Sequence, residues 1–201
     1  MSGADRAGFL SDAELDDAVQ QMYDADRRLQ GYVANQTRVW AHGPEALALL
    51  SYILRGAVDV AGLDARQRAL LVTASASALG DAYCSMAFGT KLASASGGVV
   101  AAAVVDGHDQ GLDEADRALA RWARRVVREP NGITPAHVDE LRALGYADRQ
   151  VFAITLFVAL RVAFSTVNDA LGAAPDPELA ERAPAEVVAA VSFGRRLDQR
   201  S

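Results

Sequence analysis

The stretch Gly80-Asp81-Ala82-Tyr83-Cys84-Ser85-Met86-Ala87-Phe88-Gly89 decides how this chain is read. It holds the single cysteine of the sequence and, three residues before it, a carboxylate. On an α-helix that spacing puts Asp81 and Cys84 on one face, and Phe88 continues the face four residues on. Upstream, residues 69–80 are uncharged and rich in small side chains, the composition of a central, close-packed helix. Asp64, with Gln67 three residues later, has the form of a reciprocal N-terminal cap. The pattern predicts one long helix from Asp64 past Gly80 and Cys84 to about Leu92. A carboxylate on a buried helix needs a partner, and a lone cysteine is most often a small apolar core residue. Two readings of Asp81 stand side by side. It is a carboxylate lifted by an apolar pocket toward a working pKa, or half of a structural pair with an arginine.

Outward from this stretch the chain reads as helix nearly throughout. Of 201 residues 41 are alanine, and all the bases but Lys91 are arginine, both good helix formers. Ser11-Asp12-Ala13-Glu14 is a capping-box pattern, with Leu15, Val19, Met22 and Leu29 on one helix face and Gly31 as the stop. Asn35 caps a short helix through Trp40, and Pro44 opens another that reaches about Val60. Residues 94–105 read as a loop followed by a short helix. In the second half, a helix from Asp113 carrying Leu119, Trp122, Val126 and Val127 is broken by Pro130-Asn131-Gly132. Thr134-Pro135 starts the next, which Gly145 ends, and a long apolar helix spans 148–171. The tail carries Pro175, Pro177 and Pro184 and one short helix over 185–192.

The fold class is therefore all-α, with about eight or nine helices. Three segments organise it: an N-terminal helix over 1–30, a helical domain over 31–172, and a tail over 173–201. Residues 62–89 and 145–172 match at Gly62/Gly145, Arg66/Arg149, Gln67/Gln150, Ala76/Ala159, Ala87/Ala170 and Gly89/Gly172. Two related helical units about a pseudo-twofold would give this pattern, and so would chance in an alanine-rich chain.

Composition excludes several classes of function. One cysteine leaves no chain-internal disulfide and no metal site built from several thiolates. A net charge of −6 argues against nucleic-acid and anionic-membrane partners, which both want a basic face. The apolar run 151–160 ends at Arg161, well short of the ~20 residues of a membrane span. Met1-Ser2-Gly3-Ala4-Asp5-Arg6 lacks the basic and apolar regions of a signal peptide. The expectation is a soluble, cytoplasmic protein.

The segment 80–89 resembles the reactive helix of the carboxymuconolactone decarboxylase and alkylhydroperoxidase-D-like family. There a Cys-x-x-Cys motif, with Tyr often before the second Cys, is followed four residues later by His. Gly31-Tyr32-Val33-Ala34-Asn35, Arg38-Val39 and His42-Gly43-Pro44-Glu45-Ala46-Leu47 resemble the family's lead-in helices. Gly62-Leu63-Asp64 with Arg66 and Arg68, then Leu141-Arg142-Ala143-Leu144-Gly145 and Asp169-Ala170-Leu171-Gly172, extend the resemblance from Gly31 to Gly172. The catalytic residues depart from it. Asp81 stands at the first Cys, Phe88 at the His, and Ala69 at the glutamate of the peroxidase members. Only Cys84 remains.

The resemblance implies an alkylhydroperoxidase-D-like helical fold, a homo-oligomer and a small-molecule pocket with no cofactor or metal. A thiol inside a helix beside a carboxylate is disfavoured as a thiolate, and no resolving thiol exists to close a two-cysteine cycle. The leading expectation is a cofactor-independent acid/base enzyme. It would decarboxylate, isomerise or eliminate from a small organic acid or lactone, with Asp81 and Cys84 catalytic and Tyr83 and Phe88 against the substrate. The alternatives are a one-cysteine peroxidase using Cys84, and a non-catalytic binding or structural protein on the same scaffold.

Weaker candidates surround this one. His108 with Asp106, Asp109 and Asp113 imitates a metal loop but lacks EF-hand spacing, so a capping loop is expected. His42 is placed to support a helix start, and His137 lies in a first helical turn. Arg161 interrupts an apolar face and needs a partner, for which Asp81 or Asp169 is the conjecture and a snorkelling surface arginine the plainer alternative. Arg121, Arg124, Arg125 and Arg128 lie among acids and read as an ion-paired face.

Overall fold

Caps and left-handed glycines set most helix boundaries in the computed structural model, which describes residues 8–195. In chain order the helices are α1 Asp17–Gln30, α2 Asn35–Trp40, α3 Pro44–Ala61, α4 Ala65–Leu79, α5 Ala82–Ser96 and α6 Gly98–Val105. They continue as α7 Glu114–Arg128, a 3-10 turn Pro130–Gly132, α8 Pro135–Ala143, α9 Asp148–Ala170, α10 Pro177–Arg182 and α11 Ala185–Ala190. The described residues contain no strand. The all-α reading stands, with eleven α-helices instead of eight or nine.

Two of the differences in helix number have plain causes. The single helix expected from Asp64 to Leu92 is two, because Gly80 adopts φ +89 and ends α4. Its N–H donates to Ser77 O and that of Asp81 to Ala76 O, the paired bonds of a Schellman ending. The tail adds α10, opened by Pro177 at its first turn. The N-terminal expectation also shifts. Helix α1 begins at Asp17 with Asp16 as the cap, its Oδ1 accepting from Val19 N at 2.8 Å, so Ser11 caps nothing. Of the face expected there, Val19 is buried while Leu29 stays 85% exposed. Residues 94–96 belong to α5 and not to a loop.

Helix α4 is the centre. Leu70, Leu71, Val72 and Ala74 are all within 1% of full burial, and α5, α6, α7 and α9 surround them. Small side chains allow that crowding: an axis separation of 8–10 Å leaves no room for large residues on every side. Helix α9 packs against α3, α4 and α7. By length and composition it is the one described helix that would cross a membrane, but its inner face, Val151, Ile154, Val158 and Phe164, is core. A smaller cluster of Ala82, Met86, Val105, Ala190 and Val191 anchors the tail beside α5. Residues 1–7 and 196–201, including the stretch read for a signal peptide, lie outside the described residues.

Candidate functional site

The break at Gly80 moves Cys84 from a helix interior to a helix N-terminus. Asp81 is the N-cap of α5, and its Oδ1 accepts the Cys84 N–H at 3.0 Å. A first-turn cysteine ordinarily gains from the positive end of the helix dipole. Here Asp81 takes that place. Burial first, and the Asp81 carboxylate second, push the thiol up to about 12, while Arg161 and Ser165 pull the other way. Cys84 is therefore a thiol at neutral pH. Asp81 is 0% exposed and its Oδ2 has no hydrogen-bond partner.

Helix α9 supplies the opposite wall. Arg161 Nη2 donates to Cys84 Sγ at 3.3 Å. Its guanidinium lies 4.8 Å from the Phe88 ring centroid and 4.6 Å from that of Phe164. Phe164 stacks on Trp40, whose indole N–H donates to Asn168 Oδ1. The conjectured partners Asp81 and Asp169 make no ion pair with Arg161, and neither does any other described carboxylate. Aromatic faces and a sulfur satisfy it instead, which keeps its charge without neutralising it. Its Nε is buried and unpartnered.

On the other side of Arg161 and Phe88 lies a cavity of about 580 Å³, between α3, α4, α5 and α9. Leu54, Val58, Ala69, Val72, Phe88 and Phe157 make it apolar. Arg55, Arg66, Arg68, Lys91 and Arg161 make it cationic, against the single carboxylate Asp59. Arg66 is spent on buried Asp116 through a two-pronged pair, but Arg55, Arg68, Lys91 and Arg161 have no carboxylate partner among the described residues. Lys91 stands 4.3 Å from the Phe88 centroid. Burial, and then the charges of Arg161 and Arg68, hold its pKa below the ordinary lysine value. An apolar pocket with uncompensated positive charge is complementary in charge to an organic anion.

The structure thus separates the residues singled out in the sequence. Phe88 lines the cavity. Cys84 lies behind Arg161 and Asp81 behind Cys84, neither of them on the cavity wall. Tyr83 points away, donating its hydroxyl to Asp176 Oδ2 under the tail, where burial and that carboxylate raise its pKa. The cationic lining was legible only in part. Lys91 follows Phe88 by three residues, which places both on one face of α5, but nothing local marks Arg55 and Arg68 as facing the same space.

Among the described residues no group of three or more His, Cys, Asp or Glu could hold a metal. In the 106–113 loop Asp109 pairs with Arg121 and Arg124, and Asp113 caps α7. His42 Nε2 lies 2.9 Å from Ser11 O, and His137 Nδ1 accepts from Thr134 N.

Behind Asp81 the termini close the fold. Phe9 N donates to Leu171 O, and Arg195 stacks over the Phe9 ring while donating to Asp169 O at 3.0 Å. Gly194 passes so close to Gly80 that a Cβ would sit 2.5 Å from its carbonyl oxygen. Under this clasp, burial and then the Asp81 charge raise the Asp169 carboxyl to about 7, with Arg195 opposing.

The architecture is that of known helical proteins. A peroxidase-related protein from Ralstonia eutropha JMP134 with an alkylhydroperoxidase AhpD core superposes at TM-score 0.73 with 20% identity, over 86% of this chain and 94% of that one. A peroxidase-related protein from Silicibacter sp. TM1040 gives 0.74 at 18%, over 89% and 97%. The debrominase Bmp8, as a Cys-to-Ala variant holding 2,3,4-tribromopyrrole, gives 0.65 at 16%, over 87% and 97%. No protein-family model and no curated protein sequence matches the chain. At these identities the likeness is one of fold, and the fold is AhpD-like.

Proposed function

We propose that this protein binds a small organic acid in the α3/α4/α5/α9 cavity and acts on it by proton transfer, without a cofactor. The observation that carries the reading is the double position of Arg161, which lines the cavity and also donates to Cys84 Sγ. A guanidinium free of carboxylates offers a planar fork to a ligand carboxylate. The apolar walls take the ligand's body. Cys84 stands one group behind the anchor as a neutral thiol, able to take a proton on Sγ while it passes its own to the Asp81 carboxylate behind it. A thiol held up to about 12 is not the thiolate that nucleophilic attack on a peroxide requires.

The test has two stages. Aliphatic and aromatic monocarboxylates are titrated calorimetrically, and Arg161→Met is expected to weaken the best of them about tenfold or more. Turnover of that ligand is then followed by NMR. Loss in Asp81→Asn with much retained in Cys84→Ser supports the acid/base reading. The reverse pattern, with dimedone labelling of Cys84 after peroxide, establishes the one-cysteine peroxidase instead. Binding without turnover leaves a non-catalytic binding protein, and no binding of any acid removes the proposal.

A further inference from the structure

Lys91 is the only lysine in the chain, and the other nineteen strongly basic residues are arginine. Of the cavity's cations it alone can give up its proton, since a guanidinium stays charged at any working pH. It stands on α5 three residues after Phe88, exposed at the cavity's rim, with Nζ 4.3 Å from the centroid of that ring. Arg161 reaches the same ring from α9, its Cζ 4.8 Å from the centroid. An amine and a carboxylate-binding fork therefore flank one aromatic side chain in one cavity. The walls behind them are apolar and buried: Ala69, Val72 and Phe157 are each no more than 5% exposed. The other charged groups of the lining are Arg55 and Asp59 on α3 and Arg66 and Arg68 on α4. Asp116 takes Arg66, and Asp59 makes no ion pair with the amine. Burial first, then the charges of Arg161 and Arg68, favour the uncharged amine, with Cys84 opposing.

We infer that Lys91 is a nucleophile that forms an imine with the carbonyl of an oxo acid whose carboxylate lies on Arg161, on the premise that the cavity takes organic acids. A free amine in an apolar site beside other cations is the form lysine needs for attack on a carbonyl. The Nζ lone pair adds to the carbonyl carbon, and an Nζ proton moves to the oxygen. A second proton, from solvent, carries that oxygen off as water and leaves a protonated imine. Its positive nitrogen draws electrons from the neighbouring carbon, so a C–H there loses its proton more readily than in the free carbonyl compound. That proton is regained from solvent, and one water hydrolyses the imine to return the oxo acid and the amine. Nothing is oxidised or reduced. An arginine at position 91 would hold an anion but could not form the imine. A lysine without a carboxylate fork beside it would take any carbonyl, with no preference for an acid.

Pyruvate and levulinate are the probes, with butyrate as an acid lacking the carbonyl and acetone as a carbonyl lacking the acid. With cyanoborohydride present, intact-mass spectrometry of the full chain is expected to show a gain of one oxo acid less one oxygen atom. Peptide mapping should place that adduct on Lys91 and not on the α-amine. Arg161→Met should lower the labelling about tenfold or more. Lys91→Arg, which keeps the charge, should lose the adduct with its helical circular dichroism unchanged. In deuterium oxide, NMR should show the C–H beside the probe's carbonyl exchanging about tenfold or more faster with wild type than with Lys91→Arg. Butyrate bound in calorimetry without an adduct from either oxo acid overturns the imine and leaves the organic-acid reading standing. So does acetone labelling as strong as that by the oxo acids, labelling unchanged in Arg161→Met, or exchange equally fast with Lys91→Arg. No binding of butyrate or of either oxo acid removes both.

Discussion

Helices α4 and α9 begin alike and end differently. Each follows a Schellman turn on a left-handed glycine, Gly62 at φ +69 and Gly145 at φ +92. In each, the glutamine at the third position accepts from the cap N–H: Gln67 from Asp64 and Gln150 from Ala147. One turn on, Leu71 and Ile154 occupy matched positions and are both fully buried. Eighteen residues after the starting glycine the two part: Gly80 breaks the first helix, and Ala163 carries the second straight on. The chemistry follows from that one difference. The break turns Asp81 into a cap and Cys84 into a first-turn thiol, while the unbroken helix carries Arg161 and Ser165 across to meet them.

Four experiments probe the comparison. Leu71→Ala and Ile154→Ala should each cost about 2–5 kcal/mol by denaturant unfolding, and by similar amounts if the two helices are equivalent to that point. Gly80→Ala should cost about 1–2 kcal/mol, because an L side chain is strained at φ +89. Nothing lies within 4 Å of the added Cβ, so a larger loss would mean the break is held by more than the glycine. The reciprocal Ala163→Gly should cost about 1 kcal/mol as an ordinary helix-interior glycine.

Asp81→Asn keeps a good N-cap and removes the charge, so the Cys84 thiol should titrate clearly below its present value of about 12 in an absorbance titration. An unchanged titration would assign the shift to burial alone. The smallest effect belongs to Asp169. Its carboxyl titrates near 7 in the folded chain against 3.8 normally, so the fold holds a proton that the unfolded chain releases. That contribution is complete in acid and lost as pH rises through 7. Asp169→Asn should therefore narrow the drop in Tm between pH 5.5 and pH 8, as read by differential scanning calorimetry.

Much of the fold was legible because caps act locally. Asp64 with Gln67, Pro44, Thr134-Pro135 and the glycines at 31, 62, 145 and 172 each fix a boundary through bonds within a few residues. Gly80-Asp81 carried the same kind of signal, a C′ glycine followed by an N-cap aspartate, but the apolar periodicity on both sides concealed it. The matched glycines 89 and 172 show the limit of pattern. Gly172 ends α9 at φ +86, whereas Gly89 lies within α5 because a Cβ there would meet Val187 at 2.9 Å.

The sequence by itself determined an all-helical chain, a lone thiol without a resolving partner, and a carboxylate one helical turn before it. Those are matters of composition and of bonds spanning three or four residues. Only the tertiary structure decided that Arg161 meets Cys84 from 77 residues away, that Asp81 is sealed from the cavity, and that four cations without a carboxylate partner among the described residues share it. Such contacts depend on how helices cross, and crossing is set by packing volume summed over the whole core, which no local window of residues encodes.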